Sequence, residues 1–234
     1  MSSATGEGNR RCKRKRLQTE PNDKLREQLQ CAVDKANSAA IDKAQVTIEQ
    51  LQGLDGAQMQ VVSCKQLDRA MRQALFDLER SNMREAYDSE GGWDGHSKWK
   101  EMFHAKARYL IISRQHTDAE LLQNDGAGQE VLAFSHFRFE LDTDGHSPES
   151  MLYIYELQVA ESARRQGLGL MLLQQLESLA LEHGMHRTKL TVFKRNTGAL
   201  AFYARAGYTL DSTSPGFWGR EESFEIWSKI IQPH

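Results

Sequence analysis

The fold of this chain is decided by Tyr155-Glu156-Leu157-Gln158-Val159 and Arg164-Arg165-Gln166-Gly167-Leu168-Gly169, which lead into Leu170-Met171-Leu172-Leu173. The pattern is that of an extended segment, a basic turn with two glycines and the start of an apolar helix. Glycine lacks a Cβ, so the backbone here can turn tightly and approach a ligand closely. The free amides of a first helical turn favour negative charge, to which the two arginines add positive charges. This order predicts a site for an anionic pyrophosphate.

Two other phosphate-binding motifs are excluded by spacing. A dinucleotide-binding turn needs a third glycine three residues after the second, and that position is Leu172. A P-loop needs Gly-Lys-Ser/Thr, which is absent. What remains is Arg-x-x-Gly-x-Gly between a strand and a helix. By itself this pattern also fits a glycine turn before a core helix, with two solvated arginines.

Composition predicts an ordinary soluble protein with one sizeable core, because 39% of the 234 residues are hydrophobic and 26% are charged. No apolar run approaches the roughly 20 residues of a membrane span, and no hydrophobic segment follows the basic amino terminus. We therefore expect neither secretion nor membrane insertion. Cys12, Cys31 and Cys64 lie far apart and are expected to be free thiols in a reducing compartment.

The net charge of −2 conceals a basic block, in which six of the seven residues 10–16 are Arg or Lys. Within a leader rich in Gly and Ser, this block predicts a disordered basic arm over residues 1–20. Such a block suits nuclear import or contact with nucleic acid, and it equally suits a solvated start to the next helix. We expect a helical segment over residues 21–56 and one α/β domain over residues 57–234.

Helical periodicity marks several segments. Pro21 and Asn22 suit a helix start, and a second helical pattern runs through Ile48 and Leu51. The other predicted helices are Ala70–Tyr87, with Leu75, Leu78 and Met83 on its buried face, a short one around Trp99–Phe103, Gly167–His183 and Asn196–Ala206.

Strand propensity predicts one sheet that contains the decisive stretch. The segments are Val61–Val62, Tyr109–Ile112, Val131–Phe139, Leu152–Val159, Lys189–Phe193, Tyr208–Leu210 and Phe224–Ile231. Polar linkers over residues 117–129 and 143–150 fit hairpin loops, so the strands beside them should be antiparallel. The helix after Gly167 predicts a crossover to a parallel strand at Lys189–Phe193. The fold class is therefore α/β with a mixed central sheet flanked by helices.

A second motif, Asn196-Thr197-Gly198-Ala199-Leu200-Ala201-Phe202-Tyr203, leads to Gly207-Tyr208. Together with the basic glycine turn it resembles the GCN5-related N-acetyltransferase (GNAT) superfamily. The resemblance implies the GNAT fold and acetyl-CoA as the donor. Helical spacing places Asn196, Ala199 and Tyr203 on one face, where they can line a slot beside the cofactor. Asn196 equally suits the role of a helix N-cap.

Longer strings resemble a narrower family, the histone-specific N-terminal acetyltransferases known as N-alpha-acetyltransferase D (NatD). The strings are Phe76-Asp77-Leu78, Asn82-Met83, Ala133–Phe139, Leu190–Lys194 and Ser214-Pro215, within a resemblance from Met71 to about Ile230. The resemblance implies an amino-terminal helical segment packed on the catalytic domain and a nuclear and cytoplasmic location. It also implies that acetyl-CoA is the co-substrate, that no metal is needed, and that the acceptor is the α-amine of a histone beginning Ser-Gly-Arg-Gly, chiefly histone H4.

The glycine turn, the resemblance to NatD and the chemistry of the residues together predict three sets of site residues. The catalytic set is Glu156, Tyr155 and Tyr203. The cofactor set is Leu157, Gln158, Val159, Arg164, Arg165, Gln166, Gly167, Leu168, Gly169, Asn196 and Tyr203. The peptide set is Tyr87, Trp93, Glu140, Asp142, Tyr153, Tyr155, Thr191 and Ser214. The chain departs from the family at Gly91-Gly92-Trp93, where the family has Trp-Gly-Trp one residue later, and at Phe224, which replaces a tyrosine.

Several roles keep an alternative. Glu156 is the predicted general base, acting directly or through water, or it is a glutamate satisfied by backbone amides. Tyr203 protonates the departing thiolate or packs against the cofactor. Glu140 and Asp142 clamp the substrate arginine or are solvated acids. His183 and His186 lack the further ligands of a zinc site, so we expect capping or exposure and propose no metal.

Two rival functions remain open from the sequence. The first is a lysine or small-amine acetyltransferase with the same cofactor turn. The second is a catalytically silent acyl-CoA-binding histone reader. A lysine acceptor has a reference pKa of about 10.4, against about 7.7 to 8.0 for an α-amine, and so needs more help with deprotonation.

Overall fold

A computed structural model of the chain describes residues 21–39, 46–47, 56–115, 129–145 and 147–232. Its centre is one eight-stranded sheet with the order β1-β2-β3-β4-β5-β6-β8-β7. The strands are β1 (Val46–Thr47), β2 (Ala57–Ser63), β3 (Arg108–Gln115), β4 (Gln129–Asp142), β5 (Glu149–Val159), β6 (Arg187–Phe193), β7 (Thr209–Leu210) and β8 (Phe224–Ile230). Among the strands that the structure describes, only β5 and β6 pair in parallel, and the other neighbours are antiparallel.

Five α-helices flank this sheet within the described ranges. They are α1 (Pro21–Ser38), α2 (Arg69–Asp88), α3 (Gly95–Met102), α4 (Leu168–Glu182) and α5 (Thr197–Arg205). Aspartates begin two of them, since the Asp68 carboxylate accepts from the Met71 amide at 2.7 Å and Asp94 accepts from the amides of His96 and Ser97. None of the described helices combines the length and the apolar character that a bilayer crossing requires.

The predicted α/β class with a mixed, helix-flanked sheet is confirmed. The crossover from β5 through α4 to β6 is parallel, as the sequence predicts. The pairing of β3 with β4 and of β4 with β5 is antiparallel, also as predicted. Cys31 and Cys64 are free thiols, while Cys12 lies outside the described residues.

The sheet separates two apolar cores. On one face, α1, α4 and α5 pack over alternate strand residues such as Leu110 and Ile112. On the other face, α2 and α3 pack over the intervening residues, such as Tyr109 and Ile111. Successive strand side chains point to opposite faces, so one strand serves both cores.

The amino-terminal segment is helical only in part. Helix α1 agrees with the predicted start at Pro21, and its Leu29 and Val33 are buried. Residues Val46–Thr47 instead pair with Gln58–Met59 as an edge strand, inside the segment predicted to be helical. Ile48 and Leu51, through which the second helix was predicted, lie outside the described residues, as does the basic block at residues 10–16.

A bulge in β5 prepares the site. His136 of β4 pairs with Glu156, but the next residue, Phe137, pairs with Ile154, so Tyr155 is an extra residue in β5. Such a bulge shifts the alternation of side chains between faces. Ile154 and Leu157 therefore both contact the core of α4, while Tyr155 and Glu156 both point toward α2 and α3.

Pairing between β5 and β6 is short. It joins residues 151–154 to residues 187–190 and stops there, although both strands continue. Backbone groups beyond Ile154 that face β6 are therefore free of a strand partner and are open to a ligand. The resemblance implies such a separation of parallel neighbours, and the register agrees with it.

Candidate active site

Two adjoining cavities lie where β5 and β6 separate. The smaller has a volume of about 340 Å³ and is lined by Tyr87, Lys98, Glu101, Tyr153, Tyr155, Glu156 and Thr191 among others. The larger, of about 960 Å³, is lined by the glycine turn, the start of α4 and one face of α5. Both cavities share a wall made of Met83, Leu157, Gln158, Asn196, Ala199 and Tyr203. Groups held in the two cavities can therefore meet at this wall.

The floor of the larger cavity is the amino terminus of α4. Gly167 caps this helix with a φ of 84°, in the left-handed region that favours glycine. Arg165 also has a positive φ, of 62°. The first amides of α4 have no partner within the helix, and with Arg164 and Arg165 they make this cavity suited to a pyrophosphate. Of the predicted cofactor residues, only Gln166 does not line it; the Gln166 side chain donates to the Ser162 carbonyl at 3.2 Å.

A hydrogen-bonded chain connects this turn to Glu156. The guanidinium of Arg164 donates to Asn82 Oδ1 at 2.7 Å, and Asn82 Nδ2 donates to Gln158 Oε1 at 2.9 Å. Gln158 Nε2 then donates to Glu156 Oε2 at 3.1 Å. The basic turn and the candidate base are thus held in one network through Asn82 of α2.

The shared wall includes both predicted residues of α5. Asn196 is the N-cap of α5, since its Oδ1 accepts from the Ala199 amide at 3.1 Å, and it lines both cavities as well. Tyr203 is buried on the same face. Burial, and then the negative charge of Glu156, raise the pKa of Tyr203 above its ordinary value, so its hydroxyl keeps its proton at neutral pH.

Glu156 lies in the smaller cavity beside a buried lysine. Its Oε1 accepts a hydrogen bond from Lys98 Nζ, and the two side chains are only 6% and 8% exposed. The same ammonium donates to Glu101 Oε1 at 2.7 Å and to Tyr87 Oη at 3.1 Å. Burial disfavours the charged form of Lys98, but Glu156 and then Glu79 outweigh burial and raise the pKa of Lys98.

Glu79 of α2 is the fully buried member of this group. Its Oε1 lies 3.7 Å from Lys98 Nζ. Burial, and then the negative charge of Glu156, raise the pKa of Glu79 well above its ordinary value. The same two causes raise the pKa of Tyr87 to about 12. One ammonium therefore serves a cluster of three carboxyl groups and a phenol.

Aromatic rings form the next wall of the smaller cavity. Tyr155 stacks on His136 with ring centroids 4.9 Å apart, and the Arg138 guanidinium lies 4.1 Å from the Tyr155 centroid. The Tyr155 hydroxyl donates to Glu140 at 2.8 Å. Burial, and then the charge of Glu140, raise the pKa of Tyr155. The Tyr153 hydroxyl shares a hydrogen bond of 2.5 Å with Thr191 Oγ1.

Four predicted peptide residues do not line this cavity. Glu140 reaches it only through Tyr155. Asp142 is buried in an ion pair with Lys189 at 2.6 Å. Ser214 is buried and accepts from the Ile226 amide at 3.1 Å. Trp93 packs against Phe76 and, edge to face, against Tyr87. Trp93 therefore supports the cavity wall through its contact with Tyr87, which is part of the lining.

The observed partner of Asp142 differs from the predicted one. The sequence predicts that Glu140 and Asp142 act together on a substrate arginine. The structure instead gives Asp142 a cationic partner inside the protein, Lys189, which also lies 3.4 Å from Asp211. Of the predicted pair, only Glu140 reaches the tyrosine wall of the smaller cavity, through its contact with Tyr155.

Sequence reasoning missed Lys98, Glu79 and the connecting role of Asn82. Helical spacing contains a signal for the first two, because Lys98 lies four residues before the buried Met102 and Glu79 lies four residues after the buried Leu75. A charged residue on an apolar face is a sign of a buried pair, but the spacing does not tell which side chains meet.

His183 and His186, considered above as zinc ligands, lie in the connection between α4 and β6. His183 is the C-cap of α4, with its Nδ1 3.0 Å from the Leu179 carbonyl and its ring stacked on Phe139. Throughout the described ranges, no three His, Cys, Asp or Glu side chains are grouped as metal ligands.

The sequence model of the acetyltransferase (GNAT) family matches residues 72–208. An acetyltransferase of the GNAT family from Staphylococcus aureus Mu50 is 12% identical over 74% of this chain and 99% of that chain, with a TM-score of 0.52. NAA60 of Arabidopsis thaliana, solved with a bisubstrate analogue, is 13% identical over 74% of this chain and 99% of that chain, with a TM-score of 0.50. At these identities the structural likeness shows the fold alone.

Proposed function

The chain belongs to the GNAT acetyltransferase family, and we propose that it transfers an acetyl group from acetyl-CoA to the free α-amine of a histone beginning Ser-Gly-Arg-Gly, chiefly histone H4. The GNAT fold implies an acetyl-CoA-dependent acetyltransferase, and the acceptor is the proposed part. The observation that carries the proposal is the position of Glu156. It lines the smaller cavity, which we call the acceptor cavity, while the next residue, Leu157, lines both cavities.

The larger cavity fits acetyl-CoA. The amino terminus of α4, Gly167 and the arginines at 164 and 165 would hold the pyrophosphate. The unpaired edge of β5 beyond Ile154 offers backbone groups to the amide-bearing arm of the coenzyme. When bound, the coenzyme supplies an acetyl thioester, a carbonyl carbon that an amine can attack.

Glu156 is the proposed base. As the amine nitrogen bonds to the carbonyl carbon and the bond from carbon to sulfur breaks, the amine must lose one proton, which Glu156 accepts directly or through water. An α-amine has a reference pKa of about 7.7 to 8.0, against about 10.4 for lysine, so an α-amine needs less help with deprotonation than a lysine does.

The thioester oxygen and the departing sulfur also have partners in this proposal. Backbone amides around Leu157 would stabilise negative charge on the thioester oxygen. Tyr203, which keeps its proton, can donate toward the departing sulfur or pack against the acetyl group. Both lie on the wall that the two cavities share.

Acidic and aromatic groups support a cationic peptide as the acceptor. Glu101 lines the cavity with a side chain that is 42% exposed, and Glu140 lies behind Tyr155. A peptide with a positively charged amino terminus and an arginine at its third position complements these carboxylates.

The test uses the full chain with acetyl-CoA and paired peptides, one beginning Ser-Gly-Arg-Gly and one with the same residues scrambled. We expect CoA release that depends on the first peptide, with mass spectrometry placing the acetyl group on the α-nitrogen. Acetyl on a lysine ε-nitrogen would support the lysine enzyme instead, and coenzyme binding without CoA release would support a silent reader.

The base is tested by Glu156→Gln. We expect kcat to fall about 100-fold with little change in acetyl-CoA affinity, because general base catalysis is typically worth a factor of about 10² to 10⁴. A kcat within a few-fold of wild type would remove Glu156 from the base role. Glu161→Gln, in the short 3-10 turn after β5, is the control.

We also propose a nuclear and cytoplasmic location, based on the basic block at residues 10–16. Deletion of residues 1–16 should reduce nuclear accumulation of a tagged chain. Unchanged accumulation would reject the import role.

A further inference from the structure

The side chains of Glu79, Tyr87, Lys98, Glu101 and Glu156 meet between α2, α3 and β5. Lys98 is the centre of this group and its only cation. Three of its contacts lie at hydrogen-bond distance, to Glu156, to Glu101 at 2.7 Å and to Tyr87 at 3.1 Å. All three partners line the acceptor cavity.

We infer that Lys98 is a positioning residue for acetyl transfer, whose ammonium fixes the orientation of the Glu156 carboxylate in the acceptor cavity. This inference rests on the proposed function, in which Glu156 takes the proton of the amine. An ammonium has three protons and no acceptor, so the three hydrogen-bonded partners use its full capacity.

The geometry fixes both oxygens of Glu156. Oε1 accepts from Lys98, and Oε2 accepts from Gln158 Nε2 at 3.1 Å. A carboxylate that is held from α3 and from its own strand has one orientation relative to the shared wall. Orientation of a catalytic group is a large part of what an active site supplies.

A role in folding stability alone explains this arrangement less well. Buried ion pairs give little net stability, because the loss of hydration offsets the attraction between the charges. Lys98 is nevertheless 8% exposed and faces Glu79, which is fully buried. Lys98 donates to both carboxylates that line the acceptor cavity, and of these Glu156, at 6% exposure against 42% for Glu101, is the buried one.

Other charged and titratable groups also surround Glu156. They are Glu79 and Tyr87 on α2, Glu101 on α3, His136 and Arg138 on β4, and Tyr203 on α5. Arg138 is directed elsewhere, to the Glu101 carbonyl and the Tyr155 ring. Without Lys98, the Glu156 carboxylate would lose the hydrogen bond at Oε1 and would have two other carboxyl groups and no ammonium beside it.

The experiment replaces Lys98 by Met, which keeps the length of the side chain and removes the charge. With acetyl-CoA and the Ser-Gly-Arg-Gly peptide, we expect kcat at pH 7 to fall at least about tenfold and KM for the peptide to change less than about threefold, because the orientation of the base is lost while the peptide site remains. Lys98→Arg should restore much of the lost kcat, since a guanidinium can also donate to Glu156. Lys100→Met, on the exposed face of the same helix, should behave as wild type.

A readout without turnover separates this inference from the proposed function. In crystal structures, the Glu156 carboxylate should have one orientation in the wild type and a changed orientation in Lys98→Met. If the wild type transfers no acetyl group to the peptide, the proposed function fails while the two structures still report on Lys98.

An unchanged orientation of the Glu156 carboxylate together with an unchanged kcat would overturn the inference. Circular dichroism and acetyl-CoA affinity check that each variant is folded. Should Lys98→Met not fold, Lys98→Gln undergoes the same two measurements, with the same outcomes expected.

Discussion

Glu140 and Asp142 lie two residues apart on β4 but have different partners. Glu140 accepts from the Tyr155 hydroxyl, while Asp142 is buried against Lys189. Asp142 does not line the smaller cavity, and its two oxygens accept hydrogen bonds from Lys189 and from the Asp144 amide. Glu140 is therefore the candidate for the substrate arginine, and Asp142 is a structural residue.

Alanine variants separate these roles. We expect Glu140→Ala to raise KM for the Ser-Gly-Arg-Gly peptide about tenfold, equivalent to about 1.4 kcal/mol. We expect Asp142→Ala to leave this KM nearly unchanged and to lower the free energy of unfolding by about 3 kcal/mol, since it leaves Lys189 buried with a weaker partner. Steady-state kinetics and urea unfolding measure the two effects. An equal rise in KM for Glu140→Ala and Asp142→Ala would instead support a clamp made of both carboxylates.

Among single residues, the sequence predicts those that belong to continuous motifs. Gly167, Asn196 and Tyr203 line the predicted cavity because a turn and a helix of fixed geometry present them. Lys98 and Glu79 are joined to Glu156 only by the packing of α2 and α3 on the sheet, and no local pattern encodes that contact. Asp142 was misassigned for the same reason, since its partner lies 47 residues away on β6.

Among the elements, α1 is attached to the domain by polar contacts at its end. Arg108 of β3 donates to the carbonyls of Ala36 and Asn37, at 3.3 and 2.6 Å, and to Asn37 Oδ1 at 3.1 Å. Asn37 in turn donates to the Phe139 carbonyl at 3.0 Å. An arginine from the sheet thus satisfies carbonyls that a helix end leaves open.

Removing this arginine should loosen α1. Arg108→Ala is expected to lower the free energy of unfolding by about 2 kcal/mol, because charge-assisted hydrogen bonds to buried carbonyls are lost. Urea unfolding gives the free energy, and hydrogen exchange should show lower protection in α1. Arg26→Ala, at an exposed site on the same helix, should stay within about 0.5 kcal/mol of wild type.

The turn before α4 yields a second prediction at this scale. Gly167→Ala should cost roughly 1 kcal/mol of stability, because its φ of 84° is strained for a residue with a Cβ, and it should also weaken acetyl-CoA binding. Gly184 has a φ of 70° at the other end of α4 and open space around it. Gly184→Ala should cost similar stability and leave acetyl-CoA binding intact. Calorimetry measures the affinity of each variant for acetyl-CoA. Equal affinities of Gly167→Ala and Gly184→Ala would contradict the cofactor role of the turn.

Elements themselves are largely predictable here, since long periodic segments such as α2 and α4 have the predicted type and nearly the predicted bounds. The edge strand β1 was not predicted, because two residues contain too little pattern and gain their conformation from pairing with β2. The bulge at Tyr155 was not predicted either. It depends on register with β4, which sequence alternation does not reveal.

In the whole molecule, the buried charges make stability depend on pH. The pKa of Glu79 in the folded state is raised well above its value in an unfolded chain. Its contribution to stability is therefore fully present at pH below the unfolded pKa and is lost as pH rises through the folded pKa. Glu79→Gln should flatten this decline, which begins near the ordinary pKa of 4.5, as measured by urea unfolding from acidic to alkaline pH. Glu85→Gln, exposed on the same helix, should keep the wild-type slope.

The wall shared by the two cavities has a kinetic consequence. Acetyl-CoA and the acceptor peptide can be bound at the same time, so the acetyl group need not be attached to a protein residue between them. Among the described residues that line either cavity, none is a cysteine or a serine that would accept it. Initial-rate plots against both reactants should therefore give intersecting rather than parallel lines, the signature of a ternary complex.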